Sequence, residues 1–389
     1  RAAQMAIASP LLDVSMEGAR GAAQGTAAPA RLAKDYPVQP VPFTAVRLDD
    51  QFWAPKIETN RTVSIPFAFE QCETTGRVEN FLRAAKAIQG TIADNDRKIP
   101  PYPFDDTDIY KVIEGASYAL SVHPDPKLDA YVDSLIEKIA AAQEPDGYLY
   151  PARTINPAKP HAWSGTERWQ LEKVDSHELY EVGHLVEAAV AHYQATGKRT
   201  LLDIATRFAD LLVETFGPGK RAIWPGHQIT EMALAKLYRV TGKAQYLALS
   251  KFLLDVRGPD GDRGAGRTYN QSQARPVDQT EAVGHAVRAA YMYSGMADVA
   301  ALTGDLSYLH AIDAFGPVGL DGLAKAFWQS MKDDIEIRMP DEGKPDPRKF
   351  LVVKEITESG PVMATDKVKV TFDVNSGMFT MSGSGTKGV

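Results

Sequence analysis

The clearest pattern along the chain is a helical periodicity that stops and restarts between residues 177 and 215. In its first half, apolar residues fall three or four positions apart, and Thr196-Gly197 ends the run as a C-terminal glycine does. A second run at the same spacing extends from Leu201 to Leu211. The pattern predicts two helices joined by a short turn, which is a helical hairpin.

The same hairpin pattern recurs along the chain. Its later turns contain a proline or glycine with a polar neighbour, at Pro124-Asp125, Thr196-Gly197, Thr241-Gly242 and Thr303-Gly304. An earlier hairpin over residues 64–89 is interrupted by Gly76, so five hairpins precede Ala314. Units that bury their faces against neighbours predict a mainly α protein, an (α/α)6-type toroid of helical hairpins. Because the sequence shows one hairpin fewer than such a ring contains, an incomplete ring is an open alternative.

The two ends of the chain differ from this helical region. Residues 1–40 are rich in Ala, Gly, Pro and Ser and predict a flexible lead-in. Residues 41–53 alternate and carry aromatic side chains, which favours a short strand or an extended clamp. We assign residues 41–332 to the toroid, and residues 333–389 to a linker and a small β-rich module. About four short strands are predicted there, fewer than the roughly seven of a complete β-sandwich, so the module is partial.

Composition excludes several classes of protein. The 389 residues carry a net charge of -7 without a basic stripe, which argues against a nucleic-acid partner. No apolar run reaches the roughly 18 to 20 residues that span a bilayer, so no membrane partner is expected. Cys72 is the single cysteine, which excludes an internal disulfide and any site built from several thiolates. The first residue is Arg rather than Met, which favours an exported protein after removal of a signal, although the localisation stays open.

A Gly-His pair occurs three times near the start of a predicted repeat helix, at Gly183-His184, Gly226-His227 and Gly284-His285. In an α/α toroid the ends of inner helices line a cavity, where imidazoles with nearby carboxylates suit the hydroxyls of a sugar. The alternative is structural, with glycines that permit close helix packing and histidines that cap backbone groups. The residue pattern supports both interpretations equally.

His177, Glu181 and His184 lie on one side of the predicted helix, near its start. Their spacing is not that of the HExxH zinc motif, whose two histidines are four positions apart. Glu181 and His184 have the Glu-x-x-His spacing of carboxylate metal sites in helical bundles, but such sites need a second pair, and none is evident. Histidines hydrogen-bonded at a helix start are therefore favoured, and no metal ligand is predicted.

From about residue 41 to residue 310 the chain resembles the catalytic domain of glycoside hydrolase family 127, the β-L-arabinofuranosidase-type enzymes. The resemblance rests on segments in the same order, among them PFTAVRLDDQFWAPKIETNR, HELYEVGHLVEAAVAHYQATGK, PGHQITEMALAKLYRVTG and PVDQTEAVGHAVRAAYMYSGMADVAALTGD. It implies an (α/α)6 barrel followed by β-sandwich domains, and action on arabinose-containing plant glycans. It also implies a substrate-lining set: His177, His227, Asp106, Asn80 and His285.

The same resemblance implies a catalytic apparatus that this sequence lacks. Characterised relatives use a cysteine nucleophile on a zinc held by one Glu and three Cys, with another Glu as acid/base. In those relatives the motifs that carry these groups follow the last matching stretch, and this sequence contains none of them. Cys72 lies outside such motifs, and we interpret it as a buried thiol. No cofactor is predicted for this chain, and its catalytic residues are unknown.

Three interpretations of function remain open. The first is a family 127 glycoside hydrolase that acts on arabinofuranosides. The second is a catalytically defective sugar-binding relative or gene fragment, which the missing thiolates favour. The third is another α/α-toroid sugar enzyme, such as an epimerase or unsaturated-uronide hydrolase, that works through histidines and carboxylates. In all three the expected partner is a carbohydrate ligand, and the oligomeric state is not predicted.

Overall fold

The computed structural model describes residues 34–36, 40–259 and 266–314, and the backbone of four strands between residues 352 and 383. The described part is mainly helical, as the sequence predicts. The helices and the strands belong to two separate units of the chain. Among the described residues, no helix combines the length and apolar character that crossing a membrane requires.

The helices are numbered here in chain order. The first six are α1 (Trp53–Thr59), α2 (Ile65–Thr74), α3 (Arg77–Ile88), α4 (Thr107–Val122), α5 (Pro126–Ala141) and the single turn α6 (Pro151–Thr154). The next six are α7 (Glu178–Thr196), α8 (Thr200–Thr215), α9 (Thr230–Thr241), α10 (Ala244–Asp255), α11 (Ala286–Thr303) and α12 (Ser307–Ala314). A π-helical turn, Asn60–Ser64, joins α1 to α2, so the chain runs through both without a break.

Paired helices form an inner and an outer row in this unit. The inner helices α2, α4, α7, α9 and α11 each pack against the next, and α3, α5, α8, α10 and α12 return the chain between them. Helix α7 is buried at almost every position from Glu178 to His192, whereas α8 buries one apolar face. The described residues thus contain five hairpins in sequence, an arrangement typical of α/α toroids.

Glycine ends three of the inner helices in the way that the sequence predicts. Gly197, Gly242 and Gly304 follow α7, α9 and α11 with φ values of 75°, 71° and 78°. The amide of each donates to a carbonyl of the last helical turn, as Gly197 does to Tyr193 O at 2.8 Å. Because side chains are disfavoured at positive φ, glycine stops each helix at a defined residue.

A buried ion pair fixes the chain just before α9. The guanidinium of Arg257 contacts Glu231 of α9 at 3.1 Å, and both side chains are fully buried. Arg257 also donates to Pro225 O at 2.6 Å, and it stacks 4.7 Å from the ring of Trp224. The segment before α9, which carries His227, is therefore held by a fully desolvated guanidinium with several partners.

Residues 34–36, which precede α1 in the chain, form hydrogen bonds with inner helices α9 and α11. Lys34 Nζ donates to Thr303 O at the end of α11, at 2.8 Å. The carboxylate of Asp35 accepts two hydrogen bonds from Arg239 of α9, at 2.9 and 3.1 Å. Arg239 also donates to Asp298 of α11 at 2.9 Å. This segment therefore bridges the C-terminal halves of α9 and α11.

Of the two alternatives given for residues 41–53, a short strand or an extended clamp, the strand is not formed. The chain forms a short 3-10 turn there, Phe43–Ala45, followed by extended and turn residues without a strand partner in the described structure. The ring of Phe43 packs edge-on against Tyr118 of α4, with centroids 5.0 Å apart. The aromatic residue that suggested a strand thus packs against a helix.

The second unit contains four strands: β1 (Val352–Thr357), β2 (Gly360–Ala364), β3 (Val368–Asp373) and β4 (Met378–Gly383). They pair antiparallel in the order β1-β2-β3-β4, with Val353 opposite Met363 and Val370 opposite Met381. A bulge interrupts β1 after Val353. The domain boundaries and the partial β-sandwich-like module remain predictions.

Candidate functional site

Four of the five residues predicted to line a site lie at or just before the N-terminal ends of inner helices, whereas Asn80 lies in α3. Asp106, His177 and His285 are the N-cap residues of α4, α7 and α11. His227 comes two residues before Ile229, the N-cap of α9. Because neighbouring inner helices run in the same direction, their N-termini meet at one end of the helical row.

Three histidine rings form a continuous group at this end, which we call the histidine cluster: His177, His227 and His285. The ring centroids of His177 and His227 are 5.9 Å apart, and those of His227 and His285 are 5.7 Å apart. Tyr180 packs 4.4 Å from the central ring of His227, and Tyr291 of α11 lies 6.1 Å from it. The three histidines remain partly exposed, so the group can meet a ligand.

Backbone carbonyls set the tautomer of two of these rings. Nδ1 of His177 contacts Asp175 O, and Nδ1 of His227 contacts Gln228 O at 2.9 Å. A carbonyl oxygen only accepts hydrogen bonds, so each Nδ1 must carry the proton. In the neutral ring, Nε2 then keeps its lone pair as an acceptor.

His285 has the opposite arrangement. Its Nδ1 accepts a hydrogen bond from the amide of Arg288 at 3.4 Å, as an N-cap side chain does. Nε2 of the neutral ring therefore carries the proton and is a donor. The histidine cluster thus presents the acceptor nitrogens of His177 and His227, which suit the hydroxyl groups of a ligand.

The two acceptor histidines are neutral. Burial, followed by the charge of Arg288, lowers the pKa of His177 to about 3. Burial and the same guanidinium lower the pKa of His227 well below its ordinary value. Since a protonated ring has no acceptor nitrogen, these shifts preserve both acceptors at neutral pH.

His177 has a backbone conformation that side chains seldom adopt. Its φ is 63°, in the left-handed region, and it lies directly before α7. Such a conformation costs about 1–3 kcal/mol and persists where surrounding structure enforces it. The neighbouring residues of the chain provide that enforcement.

A buried carboxyl pair holds the loop before His177. Ser176 Oγ lies 2.9 Å from oxygens of both Glu172 and Glu178. The single hydroxyl proton of Ser176 is shared between these two acceptor oxygens. Glu178 also accepts from Tyr148 Oη at 2.6 Å and from Trp169 N at 2.8 Å. Burial raises the pKa of Glu172 to about 8 and that of Glu178 to about 7, with the Glu178 charge contributing at Glu172.

Asp106 stands at the N-cap of α4, but its side chain makes no capping hydrogen bond. Instead its carboxyl accepts from Asn80 Nδ2 of α3 at 2.9 Å, and both side chains are buried. Burial raises the pKa of Asp106 to about 8. Phe104, two residues earlier in the chain, packs 4.7 Å from the ring of His177.

The three Gly-His pairs were interpreted from the sequence either as part of a binding site or as packing and capping residues, and the structure contains elements of both. A Cβ on Gly183 would lie 2.3 Å from Ile229, one on Gly226 would lie 2.3 Å from Glu172 O, and one on Gly284 would lie 1.9 Å from Thr268 O. All three glycines therefore permit close packing. His227 and His285 join the cluster, whereas His184 is buried within α7, 4.5 Å from Tyr180.

Sequence reasoning missed several residues of this region. Tyr180 lies one turn after His177, a spacing that could have identified it as a neighbour. Lys111 of α4 lies 5.1 Å from the Tyr180 ring, and burial lowers its pKa. Glu181 is buried, which raises its pKa, and within the described residues its carboxylate oxygens have no hydrogen-bond partner. Glu181 is therefore a further carboxyl, besides Asp106 and Glu172, whose pKa is raised by burial.

One cluster among the described residues has the ligand types of a metal site. Oxygens of Asp129 and Asp133 on α5 and a ring nitrogen of His192 on α7 lie within 4.8 Å of one another. Lys198 Nζ lies 2.7 Å from each carboxylate, so the two acids already have a cation. We interpret this cluster as an ion-pair network between hairpins.

Cys72 does not provide a zinc site. It is buried in α2, and burial raises the pKa of its thiol to about 11. No thiol contributes to the cluster of potential metal ligands in the described residues. The zinc–thiolate set that the family resemblance implies does not fit the donors of this chain.

Two surface concavities lie away from the histidine cluster. One of about 680 Å³ follows α1 and the π-helical turn, with Phe52, Lys56 and Asn60 in its wall. The other, of about 270 Å³, is lined by residues such as Trp169 and Arg221. Neither contains titratable side chains grouped as at the inner-helix ends, so we base the candidate site on the histidine cluster.

Comparisons with known proteins give one consistent result. The family model "Beta-L-arabinofuranosidase, GH127 catalytic domain" matches residues 45–334. A non-reducing end β-L-arabinofuranosidase of Bifidobacterium longum subsp. longum is 41% identical over 249 residues, covering 59% of this chain and 35% of that protein. A solved GH127 β-arabinofuranosidase superimposes with a TM-score of 0.69 at 53% identity, covering 74% of this chain and 44% of that one.

A second solved structure agrees. It is a GH127 β-L-arabinofuranosidase from Geobacillus stearothermophilus T6, with a TM-score of 0.61 and 36% identity, and the match covers 69% of this chain and 44% of that one. The chain therefore spans less than half the length of each of these relatives. The substrate-lining roles of His177, His227, His285, Asp106 and Asn80 remain predictions.

Proposed function

This chain belongs to glycoside hydrolase family 127, and we propose that the N-terminal ends of its inner helices bind the terminal L-arabinofuranosyl unit of a plant glycan. The observation that carries this proposal is the histidine cluster, in which the ring of His227 lies within 6 Å of the rings of both His177 and His285. Family membership supports a carbohydrate as the ligand. The sugar and its linkage are part of the proposal.

The protonation states of the cluster favour a neutral polyol. Nε2 of His177 and Nε2 of His227 can each accept a hydrogen bond from a hydroxyl of the sugar. The ring of Tyr180 adds an apolar wall beside His227. Small-molecule sites commonly combine such apolar walls with a few placed polar groups.

We propose that this polypeptide has no zinc-thiolate glycosidase activity, since Cys72 is its single cysteine and lies buried in α2. On this proposal the chain shares the binding of a sugar with its family but lacks the zinc-thiolate hydrolysis. The mechanism derived from these residues is orientation: the histidines hold the hydroxyls, and the buried Glu172–Ser176–Glu178 network fixes the loop that presents His177.

A second candidate function is hydrolysis through carboxyls without zinc. The observation that favours it is the raised pKa of buried Asp106, about 8, which keeps a proton available at neutral pH as a general acid requires. Its weakness is access, because Asp106 is fully buried and already bonded to Asn80. We therefore rank it below sugar binding.

Isothermal titration with methyl β-L-arabinofuranoside, a single-ring ligand, tests the proposal. We expect binding that His177→Ala and His227→Ala each weaken about tenfold or more, the effect of one good hydrogen bond to a buried partner. His123→Ala is the matched control, because His123 is exposed at the far end of α4. Absence of binding by the unmodified protein, or equal affinity in all variants, would contradict the proposal.

The same protein is assayed for hydrolysis of an aryl β-L-arabinofuranoside with added zinc. We expect no turnover above background. Turnover that disappears in Cys72→Ala would overturn the absence of thiolate chemistry. Turnover that Cys72→Ala leaves unchanged, and Asp106→Asn removes, would instead support the carboxyl mechanism.

The finer architecture is also a proposal. We propose that the five hairpins form most of an (α/α)6-type toroid, and that residues 333–389 form a linker and a partial β-sandwich-like module. The successive packing of the inner helices and the antiparallel strand order support these assignments.

A further inference from the structure

A row of aromatic rings extends outward from the histidine cluster. Phe104 lies 4.7 Å from the ring of His177, and Tyr102 stacks on Phe104 at 5.5 Å with an interplanar angle of 19°. Trp163 follows, 6.0 Å from Tyr102. We call Tyr102, Phe104 and Trp163 the aromatic shelf. It connects the candidate site to the surface through successive ring contacts.

The outer part of the shelf is open to solvent. Tyr102 is 39% exposed and Trp163 is 42% exposed, whereas the large aromatic residues of the core, such as Tyr148 and Trp224, are fully buried. Single exposed apolar side chains are common, but contiguous ones beside a polar site are a feature of ligand-binding surfaces. The exposed aromatic surface is therefore continuous with the histidine cluster.

His161 joins the two loops that carry the shelf. Its Nε2 contacts Pro101 O at 3.1 Å, and because a carbonyl only accepts, Nε2 carries the proton. Its Nδ1 accepts from the amide of Trp163 at 3.1 Å. Ser164 Oγ also donates to His161 O, at 2.7 Å. The imidazole thus ties the loop of Tyr102 to the turn that presents Trp163.

Asp105 fixes the inner part of the shelf. Its carboxylate accepts from the amide of Tyr102 at 3.3 Å and forms an ion pair with Arg77 of α3 at 3.2 Å. Thr107 Oγ1 donates to Phe104 O at 2.8 Å. Both ends of the shelf are held by hydrogen bonds, so a ligand would meet an ordered surface and would lose less entropy on binding.

We propose that the aromatic shelf is a second sugar subsite, which stacks the ring that follows the terminal arabinofuranosyl unit held by the histidine cluster. This inference rests on the proposed function. A sugar ring presents a face of C–H groups, which matches the exposed aromatic surface of Tyr102 and Trp163. The class of ligand is therefore an oligosaccharide or glycoside with at least two rings.

The test compares ligands of one and two rings by isothermal titration. The probes are methyl β-L-arabinofuranoside and an L-arabinofuranosyl disaccharide. We expect the unmodified protein to bind the disaccharide about threefold to tenfold more tightly, which is the range of one aromatic contact. Trp163→Ala should remove this gain and leave the affinity for the single ring unchanged, while Trp163→Phe should retain part of it.

Trp53→Ala is the matched control. Trp53 is 37% exposed on α1, outside the shelf and the histidine cluster, so its loss should change neither affinity. Circular dichroism of each variant confirms that the helices remain folded.

Each outcome decides between the hypotheses. If the single ring binds but the disaccharide gains nothing, or if the gain survives Trp163→Ala, the subsite is refuted and the proposed function stands. If Trp163→Ala weakens both ligands equally, the shelf only supports His177 and is not a separate subsite. If the unmodified protein binds neither ligand, the proposed function fails, and the subsite fails with it.

Discussion

At the scale of the residue, the candidate site depends on which nitrogen of each imidazole carries the proton. Asp175 O and Gln228 O fix this choice for His177 and His227, and the amide of Arg288 fixes the opposite choice for His285. The histidines themselves could be identified from the sequence, because they stand near the starts of repeated helices. Their tautomers could not, since they depend on loop carbonyls whose positions the helical periodicity does not determine.

Because the backbone of His177 is left-handed, two substitutions at this position can distinguish its role in binding from its effect on stability. We expect His177→Gly to retain an unfolding free energy about 1 kcal/mol higher than that of His177→Ala, because glycine adopts a φ of 63° without steric cost. Both variants should lose binding of methyl β-L-arabinofuranoside, since both lack the acceptor nitrogen. Urea denaturation and titration measure the two effects.

His123 provides the control for this comparison. Its φ is −132°, a value open to every residue, so glycine should give no advantage over alanine there. Equal stability of the two His177 variants would show that the backbone strain is absent.

At the scale of the element, the helical hairpins follow closely from the sequence. Thr-Gly turns and apolar spacing predicted α7 through α10, because glycine at a helix end and a repeating apolar face are both local signals. For residues 41–53 the sequence could not decide between a strand and an extended clamp, because alternation over a short stretch does not show whether an aromatic ring packs on a strand or on a helix. The aromatic shelf was not predicted either, since loops far apart in sequence build it.

Alanine substitutions at two glycines of the inner helices, Gly183 and Gly115, should change stability in opposite directions. Gly183→Ala would place Cβ 2.3 Å from Ile229 and 3.1 Å from the amide of Thr230, so α7 and α9 must separate, at a cost of about 1–3 kcal/mol. Gly115 of α4 has open space around its Cα, and Gly115→Ala should stabilise the protein by about 0.5–1 kcal/mol. Thermal and urea denaturation of both variants measure the difference. A stable Gly183→Ala protein would contradict the close approach of α7 and α9.

At the scale of the whole molecule, the helical unit holds several carboxyls that are neutral when folded. Burial raises the pKa of Glu172, Glu178, Asp106 and Glu181, so all four bind protons more tightly in the folded protein than in the unfolded chain. Stability that depends on such groups is fully present below their unfolded pKa and is lost as the pH rises through the folded pKa.

This direction of the pH dependence gives a prediction for Glu172. Its pKa is raised from 4.5 to about 8, so the unfolding free energy should fall as the pH rises between these values. Glu172→Gln keeps an acceptor for Ser176 but cannot ionise, and should reduce that fall by roughly 1–3 kcal/mol. The other three carboxyls should preserve part of the slope. Urea denaturation at pH 5, 6.5 and 8 measures it.

Glu137→Gln on the exposed side of α5 is the control and should leave the pH dependence unchanged. An unaltered slope in Glu172→Gln would show that Glu172 ionises alike in the folded and unfolded states.

The buried position of Cys72 also makes the protein suitable for site-specific labelling with spectroscopic probes. Its thiol is the only one in the chain, and with a pKa near 11 it stays protonated and unreactive at neutral pH. A cysteine introduced on the surface would then be the one site that a maleimide dye or nitroxide modifies. A reporter group can therefore be attached to a cysteine introduced beside Trp163 without first removing Cys72, and ligand binding can be followed by the signal of the reporter.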